Sequence, residues 1–64
     1  MTRIRDERKR RGWNQTDLAY FARVSQAEIS RIESGKLKPS PGQLERLGRA
    51  LGVRPDELAK ENPA

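Results

Sequence analysis

Apolar residues recur along this chain at helical spacing, and nowhere do they alternate with polar ones over a length that would make a strand, so the class expected is all-α. One stripe is Leu18, Ala19, Phe21 and Ala22, directed toward a core, with Thr16 and Tyr20 pointing away. A second is Ile29 and Ile32 with Val24 just ahead of them, and a third is Leu44, Leu47, Ala50 and Leu51. Start and stop signals bracket each stripe. Asn14 is an N-cap with Asp17 in the following first turn, and Ser25-x-x-Glu28 has the form of a capping box. Ser40 caps a fourth helix whose first residue, Pro41, sacrifices no hydrogen bond there. Gly12, Gly35 and Gly52 supply left-handed stops.

Two more helices complete the pattern. A first one is expected from a Thr2 cap to Arg11, with Ile4, Glu7, Arg8 and Arg11 sharing a face on which only Ile4 is apolar. A short fifth runs from Pro55 to about Lys60 on the single anchor Leu58, and Glu61 to Ala64 are expected to fray. The second and third helices, over residues 15–34, are short, amphipathic and joined by a tight turn, which is the outline of a helix-turn-helix. In the third, Gln26, Ala27, Ser30 and Arg31 fall on an outward face that no core explains, and such side chains suit a DNA major groove. Tyr20 reads as an amphipathic surface ring in preference to a base-stacking platform.

Length and composition narrow the function further. Sixty-four residues, 33% of them apolar, allow one domain over residues 1–64 with a small core. Without cysteine or histidine there is no disulfide framework, no thiolate or imidazole metal site and no Ser-His or Cys-His nucleophile pair, so neither an enzyme nor a cofactor is expected. The longest apolar run, Ala19 to Ala22, is too short for a signal peptide or a membrane span, and a soluble, cytoplasmic, nucleoid-associated protein is expected. The net charge of +5 is unevenly placed: residues 1–38 hold ten Lys/Arg against five Asp/Glu, and residues 39–64 hold four against four. The excess therefore lies in the part of the chain that contains the helix pair, where it raises affinity for a phosphate-rich partner.

Read together, Arg8, the run Asn14-Gln15-x-x-Leu18-Ala19, the run Val24-Ser25-Gln26-x-x-Ile29-Ser30-x-Ile32-Glu33-x-Gly35-x-x-x-Pro39 and the run Leu47-x-x-Ala50-Leu51-Gly52-Val53-x-x-x-x-Leu58 resemble the Cro/phage-repressor-type, or xenobiotic-response-element-like, helix-turn-helix family. The resemblance covers nearly the whole chain. It implies a compact five-helix domain that inserts its third helix into the major groove of double-stranded DNA, usually as a homodimer on a two-fold symmetric operator. It further implies that Gln15 contacts a phosphate and braces Gln26, and that Gln26 reads a base edge, adenine by preference. Ala27 would meet a thymine methyl, and Ser30 would permit close approach. Arg31 would fork onto guanine, reach a phosphate, or pair with a carboxylate. Lys36 and Lys38 match positions that grip the backbone, and Arg8 and Glu33 match an internal ion pair between the first and third helices.

Three positions depart from the family pattern. Arg23 stands where the turn often has glycine, Glu7 where an apolar residue is common, and Arg54 where a serine or aspartate usually caps the fifth helix. None lies on the reading face. The function expected is a sequence-specific transcriptional regulator, a repressor that blocks polymerase by occupying its operator; activation through contact with RNA polymerase is a variant of the same reading. The alternative is an antitoxin-type interaction module, with a toxin as partner and autoregulatory DNA binding. The resemblance implies a dimer contact at the start of the fourth helix and over Val53 to Glu57, where Arg54, Asp56 and Glu57 are charged, with Leu37 the exposed-looking apolar candidate elsewhere.

Overall fold

Capping chemistry sets the element boundaries. In a computed structural model, which describes residues 2–60, the helices are α1 (Thr2–Arg10), α2 (Gln15–Ala22), α3 (Gln26–Glu33), α4 (Pro41–Leu51) and α5 (Pro55–Ala59), with no strand among the described residues. Asn14 and Asp17 form a full capping box, each side chain meeting the other's backbone N–H at 2.8 and 3.0 Å, and Ser40 with Gln43 forms another. At Ser25 only half a box is present. The hydroxyl accepts from the Glu28 N–H at 3.1 Å, but the Glu28 carboxylate takes the Ser25 hydroxyl rather than its backbone N–H. Thr2 opens α1 instead of capping it, α1 ends one residue before Arg11, and α5 ends at Ala59. The expected fraying of Glu61 to Ala64 lies outside the described residues.

Gly12, Gly35 and Gly52 all take positive φ, as their stop roles require. Arg23 does so too, at φ 58° and ψ 43°, and its N–H closes α2 on the Ala19 carbonyl. For a residue with a Cβ this conformation costs ~1 kcal/mol. Arg54 makes no capping bond and instead pairs with Asp56 at 2.8 Å.

The core comprises Ile4, Leu18, Ala22, Val24, Ile29, Ile32, Leu47, Leu51 and Leu58. α2 packs on α3 and α4, α1 lies against α3 and α4, and α5 closes onto α4. Leu44 and Ala50 are only partly buried at its margin. Two apolar expectations fail: Phe21 is 54% exposed rather than part of the core stripe, and Leu37 packs against the core rather than facing solvent. Phe21 sits at the flank of the Leu18–Ala22 face, where α2 and α4 diverge and a groove opens.

The polar inner face of α1 is resolved by arginines. Glu7 is buried, and its carboxylate meets Arg11 at 3.1 Å, Arg3 at 3.3 Å and Arg10 at 3.4 Å. Arg11 also donates to the Glu7 carbonyl at 2.9 Å and to the Leu51 carbonyl, which latches α1 to the end of α4. Burial pushes the Glu7 carboxyl up, but the Arg11 hydrogen bond and the charges of Arg10, Arg3 and Arg11 outweigh it and hold the group below its ordinary value of 4.5. A carboxylate depressed in the folded state adds stability above its unfolded pKa, and that contribution disappears as pH falls through the lower folded value. The melting-temperature gap between the native chain and Glu7→Gln is therefore expected to be widest near neutrality and to close below pH 4.5. A gap constant with pH in thermal melts would show that Glu7 acts by shape alone.

Candidate nucleic-acid interface

α3 has eight residues, or about 12 Å of axis, and an α-helix, about 10–12 Å across with its side chains, fits a major groove about 12 Å wide. Ile29, Ile32 and Glu33 are buried, which turns Gln26, Ala27, Ser30 and Arg31 outward over an arc of about 140° at helical periodicity. All four are exposed, and none of their side chains bonds to another group among the described residues. The hydrogen-bonding capacity of Gln26, Ser30 and Arg31 is therefore free for a ligand.

Both ends of this helix are fastened. At its start, Ser25 Oγ donates to Glu28 Oε1 at 3.0 Å while Gln43 Nε2, from the first turn of α4, donates to Glu28 Oε2 at 2.8 Å. At its end, Arg8 forks onto Glu33, with Nε 2.7 Å from Oε2 and Nη2 3.0 Å from Oε1, and Arg8 Nη1 donates to the Trp13 carbonyl at 2.8 Å. This is the ion pair expected between the first and third helices, and it is buried on both sides. The Glu33 hydrogen bond raises the Arg8 pKa against the opposing effect of burial. No buried polar side-chain atom among the described residues lacks a partner.

Gln15 departs from its expected geometry. Its Nε2 donates to Glu33 Oε1 at 3.2 Å, so it braces the end of α3 and not Gln26 at the start. The reason is packing: the start of α2 lies beside the last turn of α3, and a carboxylate already held there by Arg8 is the stronger acceptor. One Gln15 N–H remains for a phosphate. Lys36 and Lys38 are exposed on either side of the anchored Leu37, and the backbone N–H groups of Lys36 and Leu37 return to the Arg31 carbonyl at 2.8 and 3.1 Å. The candidate phosphate contacts thus gather at the C-terminal end of α3, with Gln26 and Ala27 at the other end and Ser30 and Arg31 between.

Sequence reasoning missed Gln43, although Ser40-x-x-Gln43 carries the capping-box signal. Its second bond, to Glu28, has no signature in the chain because it joins residues 15 apart. Trp13 was missed as well. It precedes the Asn14 cap and stacks on Phe21 with ring centroids 4.6 Å apart.

The family model described as a helix-turn-helix domain matches residues 2–60. Among curated proteins, the competence pilus inhibition repressor of Acinetobacter baylyi is 45% identical to this chain over 55 residues, which cover 86% of the chain and 50% of that protein. The chain thus spans about half the length of that relative. No solved structure matches significantly. Among the described residues, no helix is long and apolar enough to cross a membrane.

Proposed function

Because the chain belongs to the helix-turn-helix domain family of the Cro/phage-repressor type, we propose that it is a sequence-specific, DNA-binding transcriptional repressor. The observation that carries this reading is the outward face of α3: four exposed side chains without internal partners, on a helix clamped at both ends. Gln26 reads a base edge, Ala27 and Ser30 allow close approach, and Arg31 forks onto guanine or reaches a phosphate. Gln15, Lys36 and Lys38 hold the backbone. One such helix discriminates only a few base pairs, so the operator is two-fold symmetric and takes two chains at half-sites ~34 Å apart. Occupancy of that operator excludes polymerase, which is also consistent with the repressor named among the relatives.

Selection from random duplexes tests the reading first, and palindromic winners are expected. On the selected site, Gln26→Ala should cost ~1–3 kcal/mol while leaving binding to random DNA nearly unchanged. Lys36→Ala and Lys38→Ala should weaken binding to every sequence and lower the log–log salt slope by about one unit for each phosphate no longer neutralised. Equal losses for Gln26→Ala on selected and random DNA would remove its base-reading role, and winners without symmetry would remove the paired operator.

A further inference from the structure

A groove of about 740 Å³ opens between the last turn of α2 and the second half of α4, lined by Phe21, Ala22, Arg23, Arg46, Arg49 and Ala50. Three guanidinium groups and an apolar floor therefore share one concavity. Arg23 and Arg46 are exposed and have no acidic partner among the described residues, while Arg49 lies 3.7 Å from Glu45 with its side chain 80% exposed. Phe21 forms one wall. Trp13 stacks on it, and Tyr20, 79% exposed, meets it edge-on at 5.2 Å. Tyr20 and Phe21 are the large apolar side chains exposed among the described residues.

Ala22 belongs to the core and Ala50 packs against it, but the exposed part of Phe21 and the three arginines serve neither the core nor the α3 face. α4 bonds to α3 through Gln43 in its first turn, and the groove lies at the other end of α4. Rings stacked on one another are already ordered, so contact with them costs little side-chain entropy. Aromatic and arginine side chains are also the residue types that anchor protein interfaces. A phosphate backbone would satisfy the arginines but leave the exposed part of the Phe21 ring without an apolar partner. A polypeptide carrying both carboxylates and an apolar side chain satisfies both halves of the groove.

We propose that the α2–α4 groove docks an acidic segment of a partner protein, with an aromatic or leucine side chain against Phe21 and flanking carboxylates on Arg23, Arg46 and Arg49. The charge complementarity is one-sided, because among the described residues Glu45 is the one carboxylate paired with any of these three cations. Docking leaves α3 open, so the partner is carried to wherever the domain sits.

The test uses a labelled twelve-residue peptide alternating Asp and Glu with Leu and Phe, titrated with the full chain and followed by fluorescence anisotropy. Saturable binding is expected, weakened about tenfold by Phe21→Ser and by Arg46→Gln with Arg49→Gln. Arg46 and Arg49 are exposed, so the arginine variant keeps the native melt, whereas Phe21→Ser gives up the Trp13 stack and melts somewhat lower; circular dichroism checks that both are folded at the temperature of the titration. Phe21→Ser changes no charge and should leave affinity for the selected duplex within about twofold. The peptide should bind equally well when duplex is saturating. Absence of peptide binding, equal binding of a Lys- and Arg-containing counterpart, or displacement of the peptide by duplex would overturn the proposal. So would an equal loss of peptide and duplex affinity in the arginine variants, which would assign the groove to phosphate. The peptide arm needs no DNA, so failure of the DNA-reading function and failure of this site give different results.

Discussion

Arg8→Met is expected to destabilise the domain by about 3–5 kcal/mol, because it takes away the guanidinium that forks onto the buried Glu33 carboxylate. Arg8 supplies both fork bonds to that carboxylate and a third to the Trp13 carbonyl, so one substitution loosens α1, the α1–α2 connection and the last turn of α3 together. Gln15 keeps its single bond to Glu33 but cannot neutralise it. Domains of this size have little stability in reserve, and a loss of this magnitude brings the variant close to its unfolding midpoint at room temperature. The double change Arg8→Met with Glu33→Leu removes the buried carboxylate as well and should recover much of the loss, since a buried pair often breaks even against apolar residues of similar volume. Urea denaturation of the two single variants and the double variant measures the coupling. Simple additivity would mean that the ion pair contributes nothing as a pair.

What the sequence makes legible is what local chemistry controls. Asn14, Ser25 and Ser40 start helices and Gly12, Gly35 and Gly52 stop them within a residue or so, because each signal acts over the three or four residues it touches. The outward face of α3 is legible for the same reason, since helical periodicity fixes which residues share a side. Errors arise where distant segments meet. Phe21 has the spacing of a core residue, but the divergence of α4 leaves that flank of α2 open to solvent, and Trp13 covers part of the ring instead. Gln15 is expected beside Gln26, yet the carboxylate that Arg8 holds at Glu33 is the acceptor it finds. Glu7 breaks the apolar pattern of α1, and only the convergence of Arg3, Arg10 and Arg11 explains how a carboxylate can be buried there. The Arg8–Glu33 pair, 25 residues apart, is reached through family resemblance and not through spacing.

Gly48→Ala and Gly42→Ala, both in α4, are expected to have opposite signs. Helix propensity alone favours alanine over glycine by about 1 kcal/mol at either site. At Gly42 a Cβ meets nothing within 4 Å, so that gain should appear in full or in part. At Gly48 a Cβ would come within 2.4 Å of the Val53 carbonyl oxygen and 3.3 Å of the Pro55 nitrogen. Both atoms are backbone, so no side-chain rotation relieves the overlap. The chain folds back tightly at this point, with the Gly48 carbonyl accepting from the Gly52 cap N–H and from the Val53 N–H at 2.9 Å. The only concession available is to move α5 away from α4. α5 resists poorly, having five residues, no side-chain cap bond and Leu58 as its buried anchor. Lifting Leu58 out of the core costs about 1.5–3 kcal/mol in exposed apolar surface, and overpacking of the corner adds about 1–3 kcal/mol. Gly48→Ala should therefore lose about 3 kcal/mol or more and, in hydrogen exchange, release the amides of α5 while those of α2 and α3 keep their relative order of protection. A Gly48→Ala variant as stable as Gly42→Ala would show that the α4–α5 corner is looser than its backbone approach implies.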